Sequence, residues 1–378
     1  MTKRRTLLKS AAAFAALSMA FPATAQTDAP LSVVASFSIL GDMVEQIGGD
    51  NVSVTTLVGP DGDAHVYQPT PADARSVSDA DVLFVNGLEF EGWLERLAEA
   101  ASFDGTLVVA TTGVEAIAFD DDHDDHDDHG EEHAEGEDHD HEEHAEGEDH
   151  DHEEHAEGED HDHDHEEHAE GEDHDHGEEH AEADGHDDHG EEHAGDDHGH
   201  NHGAFDPHAW QSLENAVIYV DNITAALAKA DPSNAGTFYQ NRAAYVAEIE
   251  ALGDEVRALM AALPEDRRTI VTSHDAFGYF AEEYDLTFEA PQGLSTESEP
   301  SAADVAEMIT QIREEGIAAV FVESITDNRL LEQIASETGA AIGGTLYSDA
   351  LSNDNGPAST YLDMMRHNAN TLAGALGS

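Results

Sequence analysis

The chain has 378 residues, of which 85 are acidic and 14 basic, giving a formal net charge of −71; so large an acidic excess excludes nucleic acid and anionic membrane surfaces as partners. Cysteine is absent, which excludes disulfides, thiolate metal sites, cysteine nucleophiles and a lipid anchor on cysteine. Beyond Lys9 the single lysine is Lys229, with no glycine-rich loop before it, so Walker-type phosphate loops and lysine Schiff bases are excluded as well.

The first 25 residues carry Lys3, Arg4, Arg5 and Lys9, then an apolar run to Phe21, then Ala23-Thr24-Ala25 before Gln26. This pattern predicts a cleaved secretory signal, with Arg4-Arg5 compatible with either Sec or twin-arginine export. The expected product is a soluble periplasmic protein with no direct membrane anchor.

From Leu31 the sequence alternates β-branched runs with helical stretches: strands over 31–35, 52–58, 81–85 and 106–110, helices over 39–47, 71–77 and 93–100. Such alternation predicts a parallel sheet covered on both faces, an N-terminal α/β lobe over 26–119. Residues 120–202 are almost entirely Asp, Glu, His, Gly and Ala and hold 23 of the 27 histidines. The unit Glu-Glu-His-Ala-Glu-Gly-Glu-Asp-His-Asp-His starts at 131, 142, 153 and 166, but it offers no apolar stripe, so a disordered loop is expected rather than a supercoiled helix. Alternating imidazoles and carboxylates make many loose sites in such a loop. Each is weak, because ordering a chain costs about 1–2 kcal/mol per residue fixed.

Residues 203–233 return to the first lobe with a helix over 213–230. A linker helix follows over 234–263, its stripe read as Tyr239, Ala243, Val246, Ile249, Gly253, Val256, Met260 and Leu263. Alternation then resumes through a C-terminal lobe over 264–378, with strands over 269–272, 318–322 and 341–346 and helices over 276–284, 302–315, 329–338 and 360–376. The predicted fold class is α/β: two lobes with parallel sheets, joined by one long helix.

Outside the insertion the histidines are His65, His208, His274 and His367. His65 follows a strand and the turn Gly59-Pro60-Asp61-Gly62; His208 lies in Asp206-Pro207-His208-Ala209-Trp210 ahead of a helix; His274 follows the strand over 269–272. Each sits at a strand end or helix start, where open α/β sheets present ligand-binding groups. Asp349 occupies the matching place after the last strand. His367, within the final helix, is expected at the surface. Three imidazoles and one carboxylate make a tetrahedral site suited to Zn²⁺ rather than to Ca²⁺ or Mg²⁺. Filled by four protein ligands, such a site holds a metal and leaves no open position for catalysis.

The run Gly59-Pro-Asp-Gly-Asp-Ala-His65-Val-Tyr-Gln-Pro-Thr-Pro-Ala-Asp73, the His/Asp/Glu loop, Asp206-Pro-His208-Ala-Trp210, Ser273-His274-Asp-Ala-Phe-Gly-Tyr-Phe280 and Phe321-Val-Glu-Ser324 together resemble the metal-binding solute-binding proteins of ABC uptake systems, in their zinc branch. The resemblance covers nearly the whole chain after the signal. It implies two lobes bridged by a rigid long helix, a metal in the cleft between them, and delivery to an inner-membrane ABC permease. By motif His65, His208 and His274 carry over as ligands, and Asp349 matches the aspartate that manganese members and some zinc members use. Two departures matter. Many zinc members pair cysteines in the second lobe, and this chain has none; manganese members usually carry Glu where His274 stands. The expected protein is therefore not an enzyme but a monomeric zinc carrier of cysteine-free His₃Asp type. The histidine-rich loop serves it as auxiliary capture, and a periplasmic zinc chaperone is a further candidate partner. The alternatives are a manganese-binding solute-binding protein, a metal buffer without a transporter, or a zinc-dependent periplasmic hydrolase with Glu323 as its base.

Overall fold

The computed structural model describes residues 29–118 and 205–377; the expected signal (1–25) and insertion (120–202) lie outside them. In the N-terminal lobe β1 (Leu31–Phe37), β2 (Val52–Val58), β3 (Val82–Val85) and β4 (Thr106–Val109) form a four-stranded sheet in the order β2-β1-β3-β4. Every pairing is parallel, with Leu31 opposite Val52, Val33 opposite Val82 and Val82 opposite Thr106. The C-terminal lobe repeats this order strand for strand: β5 (Thr269–Val271), β6 (Thr287–Glu289), β7 (Ala319–Glu323) and β8 (Ala341–Leu346) lie as β6-β5-β7-β8, again all parallel. Parallel neighbours require crossovers, and helices supply them. They are α1 (Ser38–Gly48), α2 (Pro71–Ser78) and α3 (Leu94–Ala101) in the first lobe and α6 (Gly278–Tyr284), α7 (Ala302–Glu315) and α8 (Arg329–Thr338) in the second.

Local chemistry sets several of these boundaries. Thr70 and Asp73 close a capping box at the start of α2, with Pro71 at its first position, and Ser301 and Asp304 do the same for α7. Gly316 and Gly339 end α7 and α8 in left-handed conformations, the usual glycine stop. β6 is absent from the sequence reading because three residues, Thr-Phe-Glu, are too few to show a period. α6 starts at Gly278, two residues later than read, because Asp275 and Ala276 are taken up in the turn after His274.

α4 (Leu213–Ala230) packs beside α5 (Ala235–Ala261), the linker helix, whose 27 residues span about 40 Å. Its buried face is Phe238, Tyr245, Val246, Ile249, Leu252, Gly253, Val256 and Met260. The N-terminal part of the stripe read from sequence is thereby corrected: Tyr239 is 54% exposed, and the neighbouring Phe238 is the buried ring. Two adjacent aromatics leave the helical phase undecided by one residue, and packing against the core decides it.

One apolar cluster runs through both lobes. It includes Phe37 and Phe84 from the first sheet, Ile270, Phe277 and Phe280 from the second lobe, and Tyr361, Met364 and Met365 from α9 (Tyr361–Leu376). A smaller one covers the far face of the second sheet, where Val271, Val320 and Val322 meet Met308, Ile309 and Ile312 of α7 and Leu331 and Ile334 of α8. Along β7, Ala319 and Phe321 belong to the shared cluster and Val320 and Val322 to the outer one. This two-residue alternation accounts for its unbroken apolar run: the strand is buried on both faces.

Candidate metal centre

His65, His208, His274 and Asp349 converge. One donor atom from each lies within 4.8 Å of all the others, and all four residues are buried. His65 Nε2 and His274 Nε2 each stand 3.2 Å from Asp349 Oδ2, and His208 Nε2 stands 3.7 Å from Asp349 Oδ1. Four donors at ~2.05 Å from a tetrahedral centre are separated by about 3.3 Å, so these distances fit a shared cation. The second observation is chemical. His65 Nε2, His208 Nε2, His274 Nε2 and both carboxylate oxygens of Asp349 are buried without a hydrogen-bond partner, which a folded protein tolerates only where something else satisfies them.

Each candidate ligand is placed by its own local device. His65 follows β2; its main-chain N–H donates to Asp63 Oδ1 at 2.9 Å, and Trp93 Nε1 donates to the carbonyl of Ala64 at 2.8 Å. His208 opens the short turn Ala209–Gln211 before α4, with the carbonyl of Pro207 accepting from Asn86 Nδ2 at 2.9 Å. His274 follows β5, and Glu323, the last residue of β7, accepts at Oε1 from the N–H groups of Ser273 and His274, both at 2.8 Å. Asp349 comes three residues after β8. Trp210 Nε1 and Gln211 Nε2 donate to the carbonyl of Ser348, Leu351 N–H donates to Ser38 Oγ at 2.9 Å, and Asp61 N–H donates to the carbonyl of Leu351 at 2.8 Å. The residue that the C-terminal lobe delivers is thus seated partly on groups of the first lobe. Phe90 and Trp210 wall the site, their rings 4.9 Å from His65 and 5.3 Å from His208 respectively.

The electrostatics of the site are dominated by its buried carboxylates and imidazoles. Burial pushes the His274 imidazole down, but the carboxylates of Glu323 and Asp349 outweigh it and raise its pKa well above the ordinary range. Burial likewise pushes Asp349 up, and the charges of His274 and His208 overcome this, holding the carboxyl well below its usual range. Asp275, next to the site, is pushed up to about 6, first by burial and then by the charge of Asp206.

His367 is not part of the centre. It is half-buried rather than at the surface, because Nε2 lies 3.0 Å from the carbonyl of Thr345 and the ring packs edge-on to Tyr347. Two residues received no orienting role from sequence. Asp206 lies 2.7 Å from His208 Nδ1, and Glu323 Oε2 lies 2.7 Å from His274 Nδ1. The signal for the first was present: Asp-Pro-His lets an aspartate accept from the N–H two residues on. Glu323 ends β7, and nothing in the sequence itself relates it to a histidine 49 residues earlier.

Two parallel sheets of identical strand order, with three imidazoles and a carboxylate at their carboxyl ends, define the class of two-lobed, metal-binding substrate-binding proteins. The chain belongs to the family described as zinc-uptake complex component A, periplasmic (ZnuA), whose profile it matches over residues 33–375. This is a family of substrate-binding components of ABC metal transporters. The chain is 30% identical over 354 residues to the manganese-binding lipoprotein MntA of Bacillus subtilis, covering 92% of this chain and 90% of that one. It is 28% identical over 345 residues to the iron-binding protein YfeA of Yersinia pestis, covering 91% and 86%. Among solved structures it resembles a manganese-bound periplasmic metal-binding protein from Candidatus Liberibacter asiaticus (TM-score 0.64, 27% identity, 91% and 98% covered). In fold it also resembles the periplasmic zinc-binding protein TroA from Treponema pallidum (TM-score 0.68, 24% identity, 92% and 99% covered).

Proposed function

We infer that this protein captures Zn²⁺ in the periplasm and hands it to an ABC permease in the inner membrane, with His65, His208, His274 and Asp349 as the four ligands. The observation that carries the reading is the set of buried, unpartnered donor atoms of those residues gathered within 4.8 Å of one another. Relatives bear names for manganese, iron and zinc, so the choice of metal rests on the donors. Three neutral imidazoles and a single carboxylate favour Zn²⁺, whereas Mn²⁺ prefers a larger share of oxygen.

In this reading residues 1–25 are removed on export. The lobes over 26–119 with 203–233, and over 264–378, enclose the ion, and the helix over 234–263 holds them together. The protein acts as a monomer and not as an enzyme. Residues 120–202 supply weak additional metal sites that feed the cleft, and a periplasmic zinc chaperone is a second source.

The test is competition against a chromogenic chelator with Zn²⁺ and with Mn²⁺, on the protein and on a variant lacking residues 123–202. One tight zinc per chain in both, with loss of only weak sites on deletion, is the expected result. Tighter binding of manganese than of zinc would favour the manganese-carrier reading instead.

A further inference from the structure

Asp206 is buried, and a single oxygen of its carboxylate has two tasks. Oδ1 accepts from the main-chain N–H of His208 at 2.8 Å and lies 2.7 Å from that residue's Nδ1. A carboxylate only accepts, so Nδ1 must carry the hydrogen, and a neutral ring then presents a bare lone pair at Nε2. Nε2 is the atom that faces Asp349 without a partner.

Asp206 is itself held. Its N–H donates to the carbonyl of Ile117 at 2.9 Å, and its own carbonyl accepts from Tyr279 Oη at 2.9 Å. Tyr279 belongs to α6 of the C-terminal lobe, and its oxygen also accepts from the N–H of Ile117 at 3.2 Å. Ala118 and Phe205, the last described residues on either side of 119–204, pair in an antiparallel bridge next to this junction. The approach of α6 depends on Gly278, where a Cβ would stand 2.5 Å from Asp206 Oδ2.

We propose that Asp206 is a positioning residue for the metal centre: it fixes His208 as an Nε2 donor, and Tyr279 of the opposite lobe fixes Asp206. The proposal rests on the reading of His208 as a ligand.

Two substitutions separate orientation from charge. Asp206→Ala removes the acceptor, frees the ring to place its hydrogen on Nε2, and is expected to weaken zinc binding about 10–100-fold. Asp206→Asn keeps an oxygen at the Oδ1 position, while its amide nitrogen replaces Oδ2, which makes no bond to His208; it is expected to stay within about threefold of the parent, since the oriented ring is retained. Long-range ¹H–¹⁵N spectra of the metal-free protein at alkaline pH read the tautomer directly, with the hydrogen on Nδ1 of His208 in the parent and in Asp206→Asn. The proposal is overturned if the parent carries that hydrogen on Nε2, or if the Asn variant loses as much affinity as the Ala variant, which would make the role one of charge. His208→Ala tells the two readings apart: parental affinity there sinks the ligand assignment, whereas loss there beside an unaffected Asp206→Ala sinks only this proposal.

Discussion

His208 and His274 come from different lobes, each beside a buried carboxylate, yet they are gripped differently. Asp206 uses one oxygen for both the main chain and the ring of its histidine. Glu323 divides the work: Oε1 takes the N–H groups of Ser273 and His274, while Oε2 faces the ring at 2.7 Å, off the line a ring N–H would need for a hydrogen bond. The His208 ring is thus aligned on its carboxylate through Nδ1, whereas the His274 ring lies beside its carboxylate without that alignment. The surroundings differ in the same sense, since Trp210 packs on His208 and is itself wedged against Phe37 and Phe90, while His274 follows a three-residue strand. His208 is therefore the more firmly seated of the two histidines.

The largest expected effects come from the ligands themselves. His65→Ala, His208→Ala or His274→Ala each leaves a buried site one donor short, and a loss of zinc affinity on the order of a thousandfold or more is expected in chelator competition. If His274→Ala alone proved mild, Asp349 would be the second lobe's one ligand.

Glu323→Gln is the next largest and the sharpest test of the comparison. Its single amide oxygen can serve the two N–H groups or face the His274 ring but not both, and the negative charge beside that ring is lost, so a loss of about 10–100-fold is expected. The same acid-to-amide change at Asp206 is expected to cost little. Equal effects of the two amides would erase the distinction between the lobes.

A third test is pH. In the metal-free protein Glu323 and Asp349 hold the His274 imidazole well above the ordinary histidine range, so zinc must displace a proton that an unperturbed histidine, at ~6.5, would already have lost. Affinity should keep rising by about tenfold per pH unit above that value, until the raised pKa is passed. A plateau that begins near ~6.5 would show that His274 is not held charged.

The smallest effects concern the linker helix. Phe238→Ala removes a fully buried ring and should destabilise by about 3–5 kcal/mol, whereas Tyr239→Ala, at an exposed position, should stay within about 0.5 kcal/mol in denaturant unfolding. Reversed magnitudes would restore the stripe as read from sequence.

Much of the fold was legible because parallel strands buried on both faces write short apolar runs, as at Val82–Val85 and over 319–322, between stretches of helical pattern. β6 escaped for lack of length, and the phase of α5 slipped between Phe238 and Tyr239 because tertiary packing, not local pattern, chose the inner ring. All four members of the candidate centre could be named from sequence because each follows a strand or precedes a helix. Of the groups that aim them, Asp206 leaves a signal in Asp-Pro-His, but the pairing of Glu323 with His274 exists only once β5 and β7 lie side by side, and that of Tyr279 with Asp206 only once the two lobes meet.

X-ray absorption at the zinc edge, on protein loaded with one equivalent of Zn²⁺, tests the central claim most directly. The account predicts a four-coordinate first shell at ~2.0–2.1 Å made of three imidazole nitrogens and one carboxylate oxygen, lost in His208→Ala. A six-coordinate, oxygen-dominated shell, or one unchanged by that substitution, would contradict it.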